Sequence, residues 1–248
     1  MIPEIQMQTK FPLINAVLEG LQEGKIFKGP SEGLFFVAHK AGFSYLTGSD
    51  NGFESDVFNF CVTSSEIERY IHVYDAPISM TLICKDNPKL VNFKTRRRIQ
   101  LKYVSDFIQN TDNSLPYGFS LRKIDNQNFD SLAIFKLDLE MRFWNSKNHF
   151  IENGFGYFIV NEHNSPVSIC YTACVSNNTV EIDIMTLPAF QQMGLGKHVV
   201  SEFVRHCTKN DFVANWDCFE DNFGSLRTAE SIGFKRTFEY SLLSIYKI

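Results

Sequence analysis

Gln191-Gln192-Met193-Gly194-Leu195-Gly196 stands between two runs of different periodicity. Before it, Val180-Glu181-Ile182-Asp183-Ile184-Met185 alternates apolar and acidic residues, the pattern of a half-buried strand. After it, Val199, Val200, Phe203, Val204 and Cys207 recur at helical spacing. The expected local structure is a strand, a turn carrying two glycines, and a helix. Glycine lets the backbone approach a ligand with no Cβ in the way, and the first amides of a helix are unpaired at its positive dipole end. Such a turn suits a phosphate or diphosphate group.

Spacing excludes two other phosphate motifs. A P-loop requires Gly, four residues, then Gly-Lys-Ser/Thr; here Gln191 stands at the first glycine and His198 at the hydroxyl. A dinucleotide fingerprint requires a third glycine where Val199 stands.

Downstream, Trp216-Asp217-Cys218 closes a second strand-like run, and Asn222 to Phe234 reads Asn-Phe-Gly-Ser-Leu-Arg-Thr-Ala-Glu-Ser-Ile-Gly-Phe. Together with the glycine turn, this segment resembles the GNAT superfamily of acyl-CoA N-acyltransferases over roughly residues 117–248. Trp216-Asp217-Cys218, Asn222-x-x-Ser225 and Ala229-Glu230 are most similar to the branch related to zwittermicin-A-resistance acetyltransferases. The resemblance implies a mixed, strongly bent sheet flanked by helices, an α/β (α+β) fold in which acetyl-CoA enters where two strands splay apart. It further implies that Ile184, Met185, Thr186 and Leu187 line the pantetheine. Gln191, Gln192, Met193, Gly194, Leu195, Gly196 and Lys197 would hold the diphosphate, with Asn222 and Ser225 opening the next helix beside the cofactor.

Composition fits an ordinary globular chain. The 248 residues, 44% hydrophobic, are enough for one or two domains with a sizeable core, and a formal net charge of −4 argues against nucleic acid as a main partner. Met1-Ile2-Pro3-Glu4 carries no basic n-region, and no apolar run approaches the ~20 residues of a membrane span, so a cytoplasmic protein is expected. Cys61, Cys84, Cys170, Cys174, Cys207 and Cys218 lack Cys-x-x-Cys spacing and read as free thiols. Cys170 and Cys174 are expected on one face of a strand, too far apart to bridge. No metal site is expected.

The polar stretch Gln109 to Pro116 reads as a linker between an N-terminal domain, 1–115, and the acyl-CoA-binding domain, 117–248. The first is expected to hold a helix over 11–21, strands over 34–39, 42–46, 57–61 and 80–83, and a helix over 64–73. The resemblance implies that this half is a degenerate relative of the acyltransferase fold. In the second, strands are expected over 119–124, 157–161, 167–175 and 238–248. Helices are expected over 126–148, with Asp125 as N-cap, and the resemblance implies a helix over 194–208.

The implied chemistry needs a proton acceptor. An amine with an unperturbed pKa of ~10.4 must lose a proton to attack a thioester. Glu181 and Asp183 on one face of the motif strand, and Asp217 at the end of the next, are the candidates, each also readable as a solvated or structural carboxylate. Many family members carry a tyrosine four residues before the glycine of the final Gly-Phe; here that position is Ala229. A thiol with pKa near ~8.5 leaves without one, and Cys218, Tyr240, Tyr246 or water could substitute. Lys94-Thr95-Arg96-Arg97-Arg98 reads as a solvated basic face or as a partner for the 3′-phosphate of CoA.

The expected function is transfer of an acetyl group from acetyl-CoA to a small-molecule amine within a ternary complex. The alternative is a non-catalytic acyl-CoA-binding or interaction protein. Acceptor identity, acyl length and oligomeric state are left open.

Overall fold

The computed structural model describes residues 8–48, 50–64, 70–104 and 114–248. The chain forms two compact units, Met1–Arg98 with Glu239–Ile248, and Ile99–Phe238. This division falls inside two long strands, whereas the polar stretch puts the boundary at 115–117. Of that stretch, residues 109–113 lie outside the described residues.

The first unit runs α1 (Pro12–Leu18), β1 (Gly24–Lys28), β2 (Phe35–His39), β3 (Phe43–Thr47), α2 (Asn51–Thr63), β4 (Tyr70–Tyr74), α3 (Ile78–Asp86) and the start of β5 (Val91–Tyr103). Pro12 opens α1 with its φ already suited to a helix, and the preceding Phe11 ring stacks on Tyr74 at 4.4 Å. Phe53, Val57, Phe58 and Cys61 of α2 pack on Phe36, Leu46, Ile71 and Val73 of the sheet.

Three expectations are corrected here. Val57 to Cys61 is part of α2, because Asp50 caps a helix there, its carboxylate accepting from Gly52 N at 3.1 Å, and the apolar positions recur at helical spacing. Met80 to Ile83 lies in α3, where Met80 and Cys84 bury one helical face. Of the helix expected over 64–73, residues 65–69 lie outside the described residues, and Tyr70–Tyr74 is a strand with Ile71 and Val73 alternating inward. Short aromatic and β-branched runs do not distinguish the two states by themselves.

The second unit follows with β6 (Ser120–Lys123), a 3₁₀ turn (Phe129–Phe135), α4 (Leu139–Arg142), α5 (Lys147–Asn153), β7 (Gly156–Val160), β8 (Pro166–Ser176) and β9 (Thr179–Thr186). A second 3₁₀ turn (Pro188–Phe190), α6 (Leu195–Lys209), β10 (Val213–Phe219), α7 (Phe223–Ile232) and β11 (Phe234–Lys247) complete the chain. The helical stretch expected over 126–148 is broken because Lys136 and Asp138 adopt left-handed backbone, φ 53° and 45°. Asp125 is not a helix N-cap: its Oδ1 accepts from the amides of Gln127 and Asn128 in a turn that precedes the 3₁₀ turn, whose own N-cap position is Asn128. The closing strand begins earlier than expected, at Phe234, directly after Gly233 ends α7 in left-handed backbone.

The two units share one connectivity. β1–β2 and β2–β3 are antiparallel and β3–β4 parallel across α2; β7–β8 and β8–β9 are antiparallel and β9–β10 parallel across α6. A helix and a long strand then follow each time. They differ at the start of the crossover helix, where α2 is met by its own carboxylates, Asp50 as cap and Glu54 in the first turn, and α6 by none.

A bulge in β8 opposes Thr172 to Ile182 and Cys174 to Glu181. Cys174 therefore turns to the opposite face from Cys170, correcting the expectation that they share one. All six cysteines are buried and free. No described helix is long and apolar enough to cross a membrane.

Within the first unit, His39 is 2% exposed; its Nδ1 accepts from Ala41 N at 2.9 Å, which puts the ring proton on Nε2, toward Gln22 Oε1 at 3.0 Å. Burial, then the Lys40 charge, holds its pKa down to about 3. Burial likewise lowers that of His72 to about 4. A histidine neutral when folded and titrating near 6.5 when unfolded gives full stability above pH 6.5, lost as pH falls toward 3. His39 alone is expected to cost about 2 kcal/mol by pH 5. Urea titrations at pH 7.5 and 5 read this directly, and His39→Gln should flatten the dependence.

Candidate active site

The glycine turn follows β9. Leu187 and Pro188–Phe190 reverse the chain, Gln192 and Gly194 adopt left-handed backbone with φ 63° and 76°, and α6 begins at Leu195. Alternation of left-handed residues points successive amides to one side and forms a concave anion receptor. Among the described residues, none accepts a hydrogen bond from the amides of Gln192 to Lys197. Gln191 braces the turn, its Nε2 donating to Thr186 O at 3.1 Å.

Two features point to an anion. The first turn of α6 has no acidic residue and Gly194 provides no side-chain cap, while Lys197 brings positive charge to the positive end of the helix. This is the reverse of what stabilises a helix alone. Burial and then Lys197 hold the His198 pKa below its ordinary value.

Gly196 is the second feature. A Cβ built there would stand 3.5 Å from Thr186 Oγ1 and 3.8 Å from Ile184 Cδ1, ordinary contact, and its φ is not positive. Gly194, by contrast, is required by its φ of 76°. Neither a clash nor a positive φ inside the protein demands glycine at 196.

β9 and β10 pair only from Thr179–Val213 to Glu181–Asn215, yet continue to Thr186 and Phe219. Beyond Glu181 the strands part, as expected, and β9 keeps β8 alone as its partner through Thr186. Ile184 and Met185 lie in this parted stretch, Thr186 ends it, and Leu187 leads to the turn.

One face of these strands is core. Val180, Ile182, Ala214, Trp216 and Cys218 pack with Val199, Val200, Phe203 and Val204 of α6. Cys218 thus lies on the core side, as does fully buried Ala229. Tyr240 and Tyr246 belong to the first unit. The other face carries Glu181 and Asp183 of β9 with Asn215 and Asp217 of β10, following the two-residue alternation and the Glu181–Asn215 register.

The three candidate carboxylates differ in their surroundings. Asp183 is heavily engaged: Oδ2 accepts from Tyr171 Oη at 2.6 Å and from Arg142 Nη1 at 2.9 Å, and Oδ1 from Ile184 N at 3.1 Å. Tyr171 is pushed well above its ordinary pKa by burial, then by the Asp183 charge, and stays a donor. Glu181 is 8% exposed, and its Oε2 accepts from Asn215 Nδ2 at 2.6 Å. Asn215 is fully buried and its Oδ1 has no hydrogen-bond partner, a cost of about 1–3 kcal/mol. Asp217 is half-buried beyond the point of parting.

Asn222 and Ser225 have duties within the chain. Asn222 Oδ1 accepts from Ser225 N at 3.1 Å as N-cap of α7, and Ser225 Oγ accepts from Trp216 Nε1 at 2.9 Å. They tie α7 to β10 beside the parting strands. Lys94 to Arg98 lies along β5, with Arg97 paired to Glu239 at 2.7 Å on the surface. Asn215, Tyr171 and Arg142 are the site residues that sequence reading missed. Only the alternation that placed Glu181 and Asp217 could have suggested Asn215.

The profile of the GNAT acetyltransferase family matches residues 5–243. YdfB of Bacillus subtilis, described as an uncharacterized N-acetyltransferase, is 33% identical over 128 residues, 52% of this chain and 49% of that protein. The match thus spans about half the length of this curated relative. The crystal structure of a GCN5-related N-acetyltransferase-like protein from Streptococcus suis matches with a TM-score of 0.75 and 20% identity, covering 95% of this chain and 93% of that one. A tandem GNAT protein from the clavulanic acid biosynthesis pathway matches with a TM-score of 0.56 and 9% identity, covering 85% and 77%. At these identities the two structures show likeness of fold.

Proposed function

We propose, from the premise that this chain belongs to the GNAT acetyltransferase family, that it transfers an acetyl group from acetyl-CoA to the primary amine of a small molecule by direct attack in a ternary complex. The observation carrying this reading is the conjunction at α6: a run of unpartnered amides, a helix start charged the wrong way for itself, and a glycine at 196 that neither a clash nor a positive φ demands. Acetyl-CoA, when bound, supplies an activated thioester carbonyl. The amides of Gln192 to Lys197 hold its diphosphate, and the parted edge of β9 at Ile184 to Leu187 aligns its pantetheine.

Proton removal falls to the polar face. Asp183 is committed to Tyr171, Arg142 and its neighbouring amide, which suits an orienting role. Glu181, held by Asn215 at the last paired register, accepts the proton of the incoming amine, and Asp217 offers a second negative charge beside a cationic acceptor. The hydrogen bond from Asn215 favours Glu181 over Asp217 as the base. The narrower resemblance to the zwittermicin-A-resistance branch supports a small-molecule acceptor. Six buried free thiols fit a reducing compartment such as the cytoplasm.

Calorimetry is expected to show one acetyl-CoA bound per chain, since α2 of the first unit meets its own carboxylates where α6 meets none. CoA release across a panel of primary amines then identifies the acceptor class. Binding without turnover on a broad panel would favour a non-catalytic acyl-CoA-binding protein, and no binding by folded protein would remove both readings.

A further inference from the structure

We propose that Asn215 is a positioning residue that fixes the carboxylate of Glu181 for proton abstraction, an inference resting on the reading of Glu181 as the base. Asn215 touches no reacting atom, being wholly buried. It acts through a 2.6 Å bond from Nδ2 to Glu181 Oε2, shorter than the usual N–H···O and charge-assisted when Glu181 is ionised.

Two observations separate this from simple packing. The bond spans the last register at which β9 and β10 pair, so it anchors the carboxylate where the strands open. The same side chain leaves its Oδ1 buried without a partner, and a leucine of similar shape would bury no orphan acceptor. The position thus keeps an amide for its donor, and the donor serves Glu181. Other ionisable groups on this face are Cys174, opposite Glu181 on β8; Asp183, on the same strand with Tyr171 and Arg142 bound to it; and Asp217 on β10.

The test combines Asn215→Leu, which keeps size and removes the donor, with Asn215→Asp, which keeps shape should the leucine variant fail to fold. Carbon-13 NMR of the glutamate carboxyls, with Glu181 assigned by Glu181→Gln, follows its titration in the full chain. The midpoint of Glu181 is expected to rise by at least about one pH unit in Asn215→Leu and further in Asn215→Asp, where two carboxylates share a proton. The acid limb of kcat/KM should move up equally, with KM for acetyl-CoA unchanged. At least a tenfold loss of kcat in Asn215→Leu should vanish in the Glu181→Gln background.

An unshifted midpoint, or losses that add in the double variant, would overturn the role of Asn215 while leaving Glu181 as base. Full turnover by Glu181→Gln would overturn the base assignment and this proposal with it. Wild-type protein that binds acetyl-CoA but turns over no amine would overturn the parent reading, and the catalytic role of Asn215 falls with it.

Discussion

Gly196→Glu is expected to weaken acetyl-CoA binding at least 100-fold while leaving the thermal midpoint within a few degrees of wild type. The fold tolerates the change because a Cβ meets only ordinary contacts there and the backbone has no positive φ. The ligand does not tolerate it, because the new carboxylate enters the space against which the amides of Gln192 to Lys197 are directed. Two unit charges about 5 Å apart at an effective dielectric near 20 repel by about 3 kcal/mol, slightly more than a 100-fold change in affinity. Gly194→Ala gives the contrast. It meets no neighbour but must hold φ 76°, so it is expected to lose about 1 kcal/mol of stability and comparatively little affinity. Calorimetry and melting curves on both variants separate the two effects. Unchanged affinity in folded Gly196→Glu protein would place the cofactor elsewhere.

Glu181→Gln is expected to lower kcat by about 10² to 10⁴-fold, the usual contribution of a positioned base, with little change in KM for acetyl-CoA. The substitution is isosteric and keeps an oxygen to accept from Asn215 Nδ2, so loss of fold is not anticipated. Asp217→Asn should cost less, because it removes a neighbouring charge and leaves the proton acceptor in place. Steady-state kinetics over pH 6 to 10 on both variants decides the assignment. The reverse ranking would make Asp217 the base and Glu181 its partner.

The turn and its flanks were legible because their signals are local. A helix expected from Gly194 to Thr208 is found from Leu195 to Lys209, and the alternation over Val180 to Met185 falls within β9. Glycines at fixed spacing and two clean periodicities need no tertiary context. Val57 to Cys61 and Met80 to Ile83 were misread for the opposite reason: each is a short apolar run whose state is set by what it packs on and by caps outside it. The polar face depended on information that one strand does not contain. Asn215 meets Glu181 only through the parallel register of β9 with β10, and Arg142 reaches Asp183 across 41 residues of sequence. The displacement of Cys174 required a bulge that composition does not announce.

The start of α6, the longest of the described helices at 15 residues, has one more consequence. On the proposed reading, the cosubstrate's diphosphate stands in for the missing cap and first-turn acid, which α1 and α3 lack as well. Cosubstrate binding then becomes part of the folding equilibrium: at a free concentration 100 times its dissociation constant it adds about 2.7 kcal/mol to stability. A cell short of the thioester would hold a softer, shorter-lived protein, and metabolic supply would regulate its abundance as well as its rate.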